Sequence, residues 1–271
     1  GLTDTVDSHR LLLALEPESA CIACDVAHLV SPGQSFMVLD TGGGTVDITM
    51  SKVAATDPLR LNEIAAPSGG PWGSTFVDNR FENFVKDLVG HHDFDAIKAT
   101  PYWIELLENW EQVKISQSAD DTPRTINMAA LLEVLDESKK LSDLVREYNE
   151  SHTQTLKMRG RCTIVMPADF VRSFFEPTFN KISHWCQHLI DKNPVDIIFL
   201  VGGFAESVLM QEMIKGSFST SSCKVVVPVR PSLAVLRGAV LFGMSQDVFA
   251  SRIARMTYGV RVVNRFDPAN S

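Results

Sequence analysis

A run of three glycines, Gly42–Gly44, lies between two apolar segments and leaves the chain few ways to fold around it. The preceding segment, Phe36–Leu39, is short and apolar and ends on Asp40. The following segment, Thr45–Val53, alternates apolar and polar residues, as a half-buried strand does. Two strands joined by a tight glycine turn predict a β-hairpin.

The residues around this turn are suited to binding phosphate. Glycine adopts positive φ without strain and lets a ligand approach the backbone, and successive free N–H groups in such a turn form an anion-binding nest. Thr45 adds a hydroxyl group, and Asp40 and Asp47 flank the turn where they would hold a hydrated Mg²⁺ ion. A tight hairpin with two solvated acids is the alternative. The combination of glycines, threonine and aspartates favours a phosphate site.

A second glycine turn follows the most apolar strand that the sequence predicts, Val195–Val201. Gly202 and Gly203 end this strand, and a helix is predicted from about Ser207. Ligands of α/β proteins bind beyond the carboxyl ends of strands, so this turn is a second candidate ligand contact. An ordinary strand-to-helix turn is the alternative, because many such turns contain two glycines.

The rest of the chain divides by its periodicity. Strand and helix signals alternate over residues 159–247, and together with the hairpin they indicate an α/β fold. Residues 69–158 have helical periodicity and higher charge, and we expect them to form an inserted, mainly helical subdomain. A cluster of turn residues at 66–71 is predicted to close the first part of the α/β core, residues 40–68.

The N-terminal region predicts a helix over residues 10–30, with Glu16 in a first turn where an acid suits the helix dipole. Cys21, Cys24 and His28 have the spacing of metal ligands on one helix face. Their apolar surroundings favour packed thiols instead. The odd total of 5 cysteines indicates reduced thiols, and hence a cytoplasmic or nuclear protein.

Composition excludes several classes of protein. The 271 residues include 33 acidic and 25 basic side chains, a formal net charge of −8. This balance argues against nucleic-acid or anionic-membrane binding as the main role. No apolar run reaches the roughly 18–20 residues that span a bilayer, so no membrane span is expected.

Taken together, the motifs resemble the actin-like ATPase superfamily, with its ribonuclease H-like fold, and specifically the 70-kilodalton heat-shock proteins. The segment Asp40–Asp47 resembles the family's second phosphate loop, and Leu200–Gly203 resembles its adenosine loop. Glu16 and Pro17 resemble a Glu-Pro segment of the family. Further segments resemble the divergent subfamily 12 of these proteins: Gly69–Gly73, Val201–Glu206, Arg237–Gly243 and Thr257–Val260.

The resemblance implies roles for individual residues on the phosphate side of an ATP or ADP site. The β- and γ-phosphates would be held by Gly42, Gly43, Gly44 and Thr45. Asp40 would act through the Mg²⁺ ion and the attacking water, with Glu16 and Asp47 near the same hydrated ion. Asp40, Glu16 and Thr45 are therefore the candidate catalytic residues, and Asp40 and Asp47 are the candidate metal residues.

On the adenosine side, the resemblance implies two further groups of contacts. The turn residues Gly202, Gly203 and Phe204 would pass under the α-phosphate and ribose. One helix would supply contacts to ribose and adenine from Glu111, Lys114 and Ser118.

Three positions depart from the family pattern on the adenosine side. Ile115 and Glu206 stand where the family places two arginines around adenine, and Ser232 stands where it places an aspartate. The family's first phosphate loop and the lysine near the γ-phosphate have no counterpart in this sequence. We therefore expect the chain to bind nucleotide and, by itself, to be incomplete for hydrolysis.

Two functional hypotheses follow. The first is an ATP/ADP-binding lobe of a chaperone-like heat-shock protein relative, whose clients and co-chaperones the sequence does not identify. The second is a protein-interaction or scaffold module that keeps the actin-like shape with little or no turnover.

The resemblance also implies the division of the chain. Residues 1–39 would be part of the first lobe, with apolar surface left uncovered at Leu11, Leu12, Leu15 and Ile22. Residues 248–271 would extend toward a substrate-binding region, and we expect the sequence to be part of a longer protein.

Overall fold

The protein is described here from a computed structural model, which places residues 12–24, 26–136, 138–152, 154–244 and 247–260. The strands are β1 (Ser35–Thr41), β2 (Val46–Thr56), β3 (Leu59–Gly70), β4 (Arg124–Asn127), β5 (Lys157–Arg159), β6 (Thr163–Met166), β7 (Ile197–Val201), β8 (Lys224–Val226) and β9 (Phe249–Ser251). The helices are α1 (Glu16–Ala23), α2 (Val26–Leu29), α3 (Thr75–Val89), α4 (His91–Lys98), α5 (Pro101–Ser116), α6 (Ala129–Leu132), α7 (Leu141–His152), α8 (Ala168–Lys192), α9 (Val208–Phe218) and α10 (Ala234–Met244). Short 3-10 helices occupy Phe204–Glu206 and Pro231–Leu233.

The main sheet is mixed and has the strand order β8-β7-β1-β2-β3-β9. β1 and β2 pair antiparallel as the predicted hairpin, and β1 pairs parallel with β7. The hairpin and the most apolar strand of the second half therefore lie side by side. This confirms the α/β class, and it brings the two glycine turns to the same end of neighbouring strands.

The main sheet is covered on both faces, because alternate residues of its central strands enter different cores. Met37 and Leu39 of β1 pack with α3, α5, α8 and α9. Phe36 and Val38 of the same strand pack with α1, α2 and α10. A strand buried on both faces reads as a continuous apolar run, which is how β1 and β7 appear in the sequence.

Residues 66–71 were expected to form a turn, and this prediction is wrong up to Gly70, because β3 continues through them. The pairing of β3 with β2 shifts register, with Ile48 opposite Ser68 but Met50 opposite Ala65. The extra residue forms a β-bulge that includes Pro67, and a bulge is one of the few places where proline is tolerated in a sheet.

The segment between β3 and α8 is mainly helical but also contains β4 and β5, which its periodicity did not reveal. β4, β6 and β5 form a separate antiparallel sheet of three strands. The predicted boundary at residue 159 falls within this sheet, and the predicted boundary at residue 39 falls inside β1. The division of the chain into units stays a prediction.

The N-terminal helix is shorter than predicted, because residues 12–15 are not helical and α1 begins at Glu16. Leu12 and Leu15 are exposed, as expected, whereas Ile22 is half-buried and packs against the core under α1. Leu11 lies outside the described residues.

Candidate functional site

The candidate phosphate loop is the four-residue connection between β1 and β2. Asp40 pairs with Asp47 and Thr41 with Val46 across the hairpin, which places the two carboxylates on adjacent strands. The Gly42 amide donates to the Thr45 carbonyl at 2.9 Å and closes the loop.

The loop rests on the start of α3. The amides of Gly73, Ser74 and Thr75 donate to the carbonyls of Gly44, Gly42 and Gly43 at 3.2, 3.1 and 2.9 Å respectively. The carbonyl groups of all three loop glycines are therefore engaged by the start of α3.

The amides of Gly43, Gly44 and Thr45 donate to no acceptor among the described residues. Three successive unpaired N–H groups are the donor set of an anion nest. The structure therefore fits the phosphate group that the sequence predicts at this loop.

The three loop glycines do not use the conformation that was expected of them. None of Gly42, Gly43 and Gly44 has a φ in the left-handed region, so the expectation of positive φ is wrong. A Cβ atom on Gly43 or Gly44 would instead meet open space. What these glycines provide is a backbone that no side chain covers.

Asp40 is the most perturbed carboxyl group of the site. Burial raises its pKa, and the nearby carboxylates of Asp47 and Glu16 raise it further, to about 6. Glu16, at the start of α1, thus acts on the same carboxyl group although 24 residues separate the two in sequence. A bound cation would relieve this repulsion.

Binding of Mg²⁺ through water at Asp40 and Asp47 stays a prediction, and the side chains near it have the following arrangement. Thr45 Oγ1 donates to Asp47 Oδ2 at 3.1 Å and orients that carboxylate toward the loop. Among the described residues, no group of three or more His, Cys, Asp or Glu side chains converges closely enough to ligate an ion. Cys21 and Cys24 also belong to no such group among the described residues. Both are buried thiols whose pKa values are raised mainly by burial.

The second glycine turn approaches the hairpin closely. Gly202 has a φ of +94°, and a Cβ atom there would lie 2.5 Å from Asp40 Oδ1 and 2.4 Å from the Thr41 carbonyl oxygen. Only glycine fits this position, for reasons of both backbone and space. A Cβ atom on Gly203, by contrast, would meet no heavy atom within 4 Å.

Phe204, predicted as a ligand contact, has its side chain in the core. It is 4% exposed and stacks on Phe175 with ring centroids 6.1 Å apart. Its backbone can line the turn, but its ring anchors the turn to α8.

The predicted ribose and adenine contacts Glu111 and Lys114 lie on α5, whose C-terminal end abuts the second turn, whereas Ser118 lies two residues beyond the end of the helix. The Ser207 hydroxyl donates to the Lys114 carbonyl at 3.4 Å, and the Leu209 amide donates to the Gln117 carbonyl at 2.8 Å. The helix that carries Glu111 and Lys114 is thereby joined to the turn that carries Gly202 and Gly203.

Lys114 is engaged with protein carboxylates. Its Nζ lies 2.9 and 3.1 Å from the two oxygens of Asp78 and 2.6 Å from Glu111 Oε2, and the residue is 5% exposed. Trp110 Nε1 donates to the same Asp78 at 2.9 Å. Direct contact of Lys114 with a nucleotide stays a prediction.

Sequence reasoning gave Asp78 and Gly73 no role in the site, although Gly73 lies in a segment of the family resemblance. Asp78 fixes Lys114, and Gly73 lets the loop sit on α3, since a Cβ atom there would lie 2.1 Å from the Gly43 carbonyl oxygen. These contacts join residues about 30 positions apart, and no local spacing signals them.

Two of the three departures from the family pattern contact each other. Glu206 Oε1 accepts hydrogen bonds from the Ser232 hydroxyl at 2.7 Å and from the Ser232 amide at 3.3 Å. Ile115 is 39% exposed on α5. On the predicted adenosine side, the Glu206 carboxylate therefore stands where the family pattern has an arginine, and Ser232 is its hydrogen-bond partner.

Comparison with known proteins identifies relatives of this chain. It is 32% identical over 241 residues to Heat shock 70 kDa protein 12A of Homo sapiens and to the protein of the same name in Mus musculus. It is 30% identical over 244 residues to Heat shock 70 kDa protein 12B of Homo sapiens. The chain is a relative of the subfamily 12 heat-shock proteins.

These matches cover 86–87% of the chain and 35% of each relative, so the chain spans about a third of the length of these heat-shock proteins. This relationship implies that the mixed α/β architecture is the actin-like ATPase fold. No protein-family model matches the chain. Within the part of the chain that the structure describes, no helix is both long and apolar enough to cross a membrane.

Proposed function

We propose that this chain is an ATP- or ADP-binding lobe of a chaperone-like relative of the 70-kilodalton heat-shock proteins. The observation that carries the proposal is the unpaired amide row of Gly43, Gly44 and Thr45, which lies directly beside Asp40 and Asp47. The amides would hold the terminal phosphates, and the carboxylates would hold the hydrated Mg²⁺ that accompanies them.

The chemistry of this half-site is positioning and charge compensation. The pKa of Asp40 is raised to about 6, and a facing cation would offset the free-energy cost of ionising this carboxyl group. The absence of a side chain at Gly202 lets the second turn lie against Asp40. Bound Mg²⁺ would neutralise phosphate charge. Because phosphoryl transfer depends on charge stabilisation from several sides, we propose that this lobe alone binds nucleotide without efficient hydrolysis.

Isothermal titration calorimetry with Mg-ATP tests the proposal on the wild-type chain and on Gly43→Val. The β-branched side chain would enter the open space over the amides, so binding should be lost while the circular dichroism spectrum and the unfolding midpoint stay unchanged. Gly216→Val is the matched control, because Gly216 also faces open space but lies on α9. Normal ATP binding by Gly43→Val would overturn the assignment of the loop.

Asp40→Ala separates the phosphate from the metal. It leaves the amide row intact, so binding should fall modestly, and more in the presence of Mg²⁺ than in EDTA. Any turnover measured with a longer form of the protein should fall by orders of magnitude, because charge stabilisation is lost mainly in the transition state. An equal loss with and without Mg²⁺ would contradict the metal role of Asp40.

The scaffold hypothesis is a second candidate, supported by the hydrogen bonds between Glu206 and Ser232. This pair places a carboxylate on the adenine side and satisfies it within the protein. The hypothesis predicts that neither this chain nor a longer form binds Mg-ATP in calorimetry although both are folded.

A further inference from the structure

A cavity of about 590 Å³ lies between α5 and the small three-stranded sheet, outside the predicted nucleotide site. Its volume is within the range of about 300–1,000 Å³ that is typical of small-ligand pockets. Arg124 and Arg159 line it from the sheet side, and Asn109 and Gln112 line it from the helix side.

The sheet turns a polar face to this cavity because of its register. Asn127, Thr163 and Arg159 stand opposite one another on β4, β6 and β5 and therefore share one face. The alternate residues Ile126 and Ile164 are 1% and 0% exposed and point into the core. The apolar positions of the strands fix which side of the sheet is polar.

The helix contributes a face distinct from the one predicted to touch nucleotide. Asn109, Gln112 and Ser116 are spaced by three and four residues and so lie on one side of α5. Lys114, two residues from Gln112, points away from them toward Asp78. The cavity and the predicted contacts Glu111 and Lys114 thus occupy different sides of the same helix, whereas Ser118 lies beyond the helix and borders the cavity through its hydrogen bond with Arg124.

The charges that line the cavity have one sign. None of the ten residues that line it is acidic, although the whole chain has a net charge of −8. Arg159 forms no ion pair with any of the described residues. Arg124 is held in place by Gln117 Oε1 at 3.2 Å and Ser118 Oγ at 2.8 Å, and its one carboxylate partner is the exposed Asp120.

These observations define the ligand chemically. The Arg159 guanidinium, which has no ion pair among the described residues, suits a phosphate group, because arginine binds phosphate through paired N–H donors. Side-chain amides and hydroxyls suit hydroxyl groups, and the apolar lining is limited to Val113 and Pro123. We propose that this cavity binds a small hydroxylated phosphate ester of the sugar-phosphate class, with its phosphate at Arg159.

Glucose 6-phosphate is the probe, titrated calorimetrically into the full 271-residue chain, with inorganic phosphate and glucose as comparison ligands. Glucose 6-phosphate should bind more tightly than inorganic phosphate, and glucose should not bind. Arg159→Gln should weaken binding of the ester about tenfold or more, the effect of losing one charge-assisted contact. Gln112→Leu should weaken binding of the ester but not of inorganic phosphate, because it removes only an amide contact.

Two controls separate this cavity from other sites. Arg146→Gln removes an exposed arginine of α7 that does not line the cavity, and it should leave ester binding within twofold of wild type. Gly43→Val should also leave it unchanged, whereas Arg159→Gln should leave any Mg-ATP binding unchanged. Failure of ATP binding in every variant would count against the proposed function and not against this cavity.

The proposal is overturned if the wild-type chain does not bind glucose 6-phosphate, or if Arg159→Gln and Arg146→Gln have equal effects. It is also overturned if Gly43→Val abolishes ester binding, which would assign the phosphate to the hairpin loop. Equal affinities for inorganic phosphate and the ester would refute the role of the amide side chains.

Discussion

Asp40 makes the folded protein less stable at neutral pH than at acidic pH, the opposite of the usual effect of an aspartate. Its pKa in the folded protein is about 6, above the ordinary value of 3.8, because burial and the carboxylates of Asp47 and Glu16 disfavour the ionised form. The folded state is therefore penalised when Asp40 is ionised. The penalty is complete above about pH 6 and disappears as the pH falls below about 4.

We predict that Asp40→Asn raises the free energy of unfolding at pH 7.5 by about 3 kcal/mol, since a shift of one pKa unit corresponds to about 1.4 kcal/mol. The gain should shrink between pH 6 and pH 4, where wild-type Asp40 takes up its proton. Urea unfolding at pH 7.5 and pH 4.5 measures both values. Asp95→Asn, which removes an exposed acid of α4, should change neither, and a loss of stability in Asp40→Asn at pH 7.5 would contradict the argument.

Glu206 determines the charge on the predicted adenine side. Glu206→Arg places a planar cation where the family has one, and a stacked cation contributes about 0.5–2 kcal/mol. We predict that ATP then binds several-fold more tightly in calorimetry. Glu206→Gln is the control, because it removes the negative charge without providing a stacking plane. If the two variants bind ATP equally, charge alone accounts for the effect and adenine does not lie against residue 206.

At the scale of secondary structure, sequence patterns predict the elements whose signal is local. The hairpin around Gly42–Gly44 and the buried strand ending at Val201 are confirmed because glycine turns and apolar runs mark their ends. β4 and β5 were missed since strands of four and three residues carry no measurable period. The turn predicted at residues 66–71 is wrong because the bulge that lets β3 continue through Pro67 depends on the pairing with β2.

The candidate site shows the same limit at the level of contacts. Sequence alone predicted which residues form and flank the candidate phosphate loop, and the hairpin brings Asp40, Asp47 and the loop amides together. The ion pair of Lys114 with Asp78 was not foreseen, because it depends on how α3 packs against α5. The strict need for glycine at residue 202 likewise arises from the approach of a distant strand.

The helices α1 and α10 cross so closely that one added carbon atom would disturb their packing. A Cβ atom on Gly238 of α10 would lie 1.6 Å from the Ser19 carbonyl oxygen of α1, so the helices touch through their backbones. We predict that Gly238→Ala lowers the free energy of unfolding by about 3 kcal/mol or more, because the clash is with backbone that must move.

Gly243→Ala is the matched control for this crossing. Gly243 lies on the same helix and faces open space, so alanine should cost nothing there and add up to about 1 kcal/mol from helix propensity. Urea unfolding of both variants, followed by far-ultraviolet circular dichroism, gives the comparison. Equal stability of the two variants would show that α1 and α10 do not cross as closely as described.

At the scale of the whole molecule, α10 leaves an apolar surface uncovered. Leu236, Val240 and Met244 are 64%, 63% and 81% exposed and lie along one side of the helix at spacings of four residues. Leu13 and Leu15, just before α1, are 86% and 61% exposed. Contiguous exposed apolar residues favour association, either with another part of a longer protein or with a second copy of the chain.

We predict that the 271-residue chain by itself self-associates through α10 at micromolar concentration. The double variant Leu236→Glu with Val240→Glu should shift sedimentation velocity profiles toward monomer, because burying either carboxylate in an apolar contact is costly. Ile104→Glu is the control, since Ile104 is 61% exposed on α5, away from α10, and should leave the profile unchanged. A monomeric wild-type chain, or an equal shift in the control, would show that this surface does not drive association.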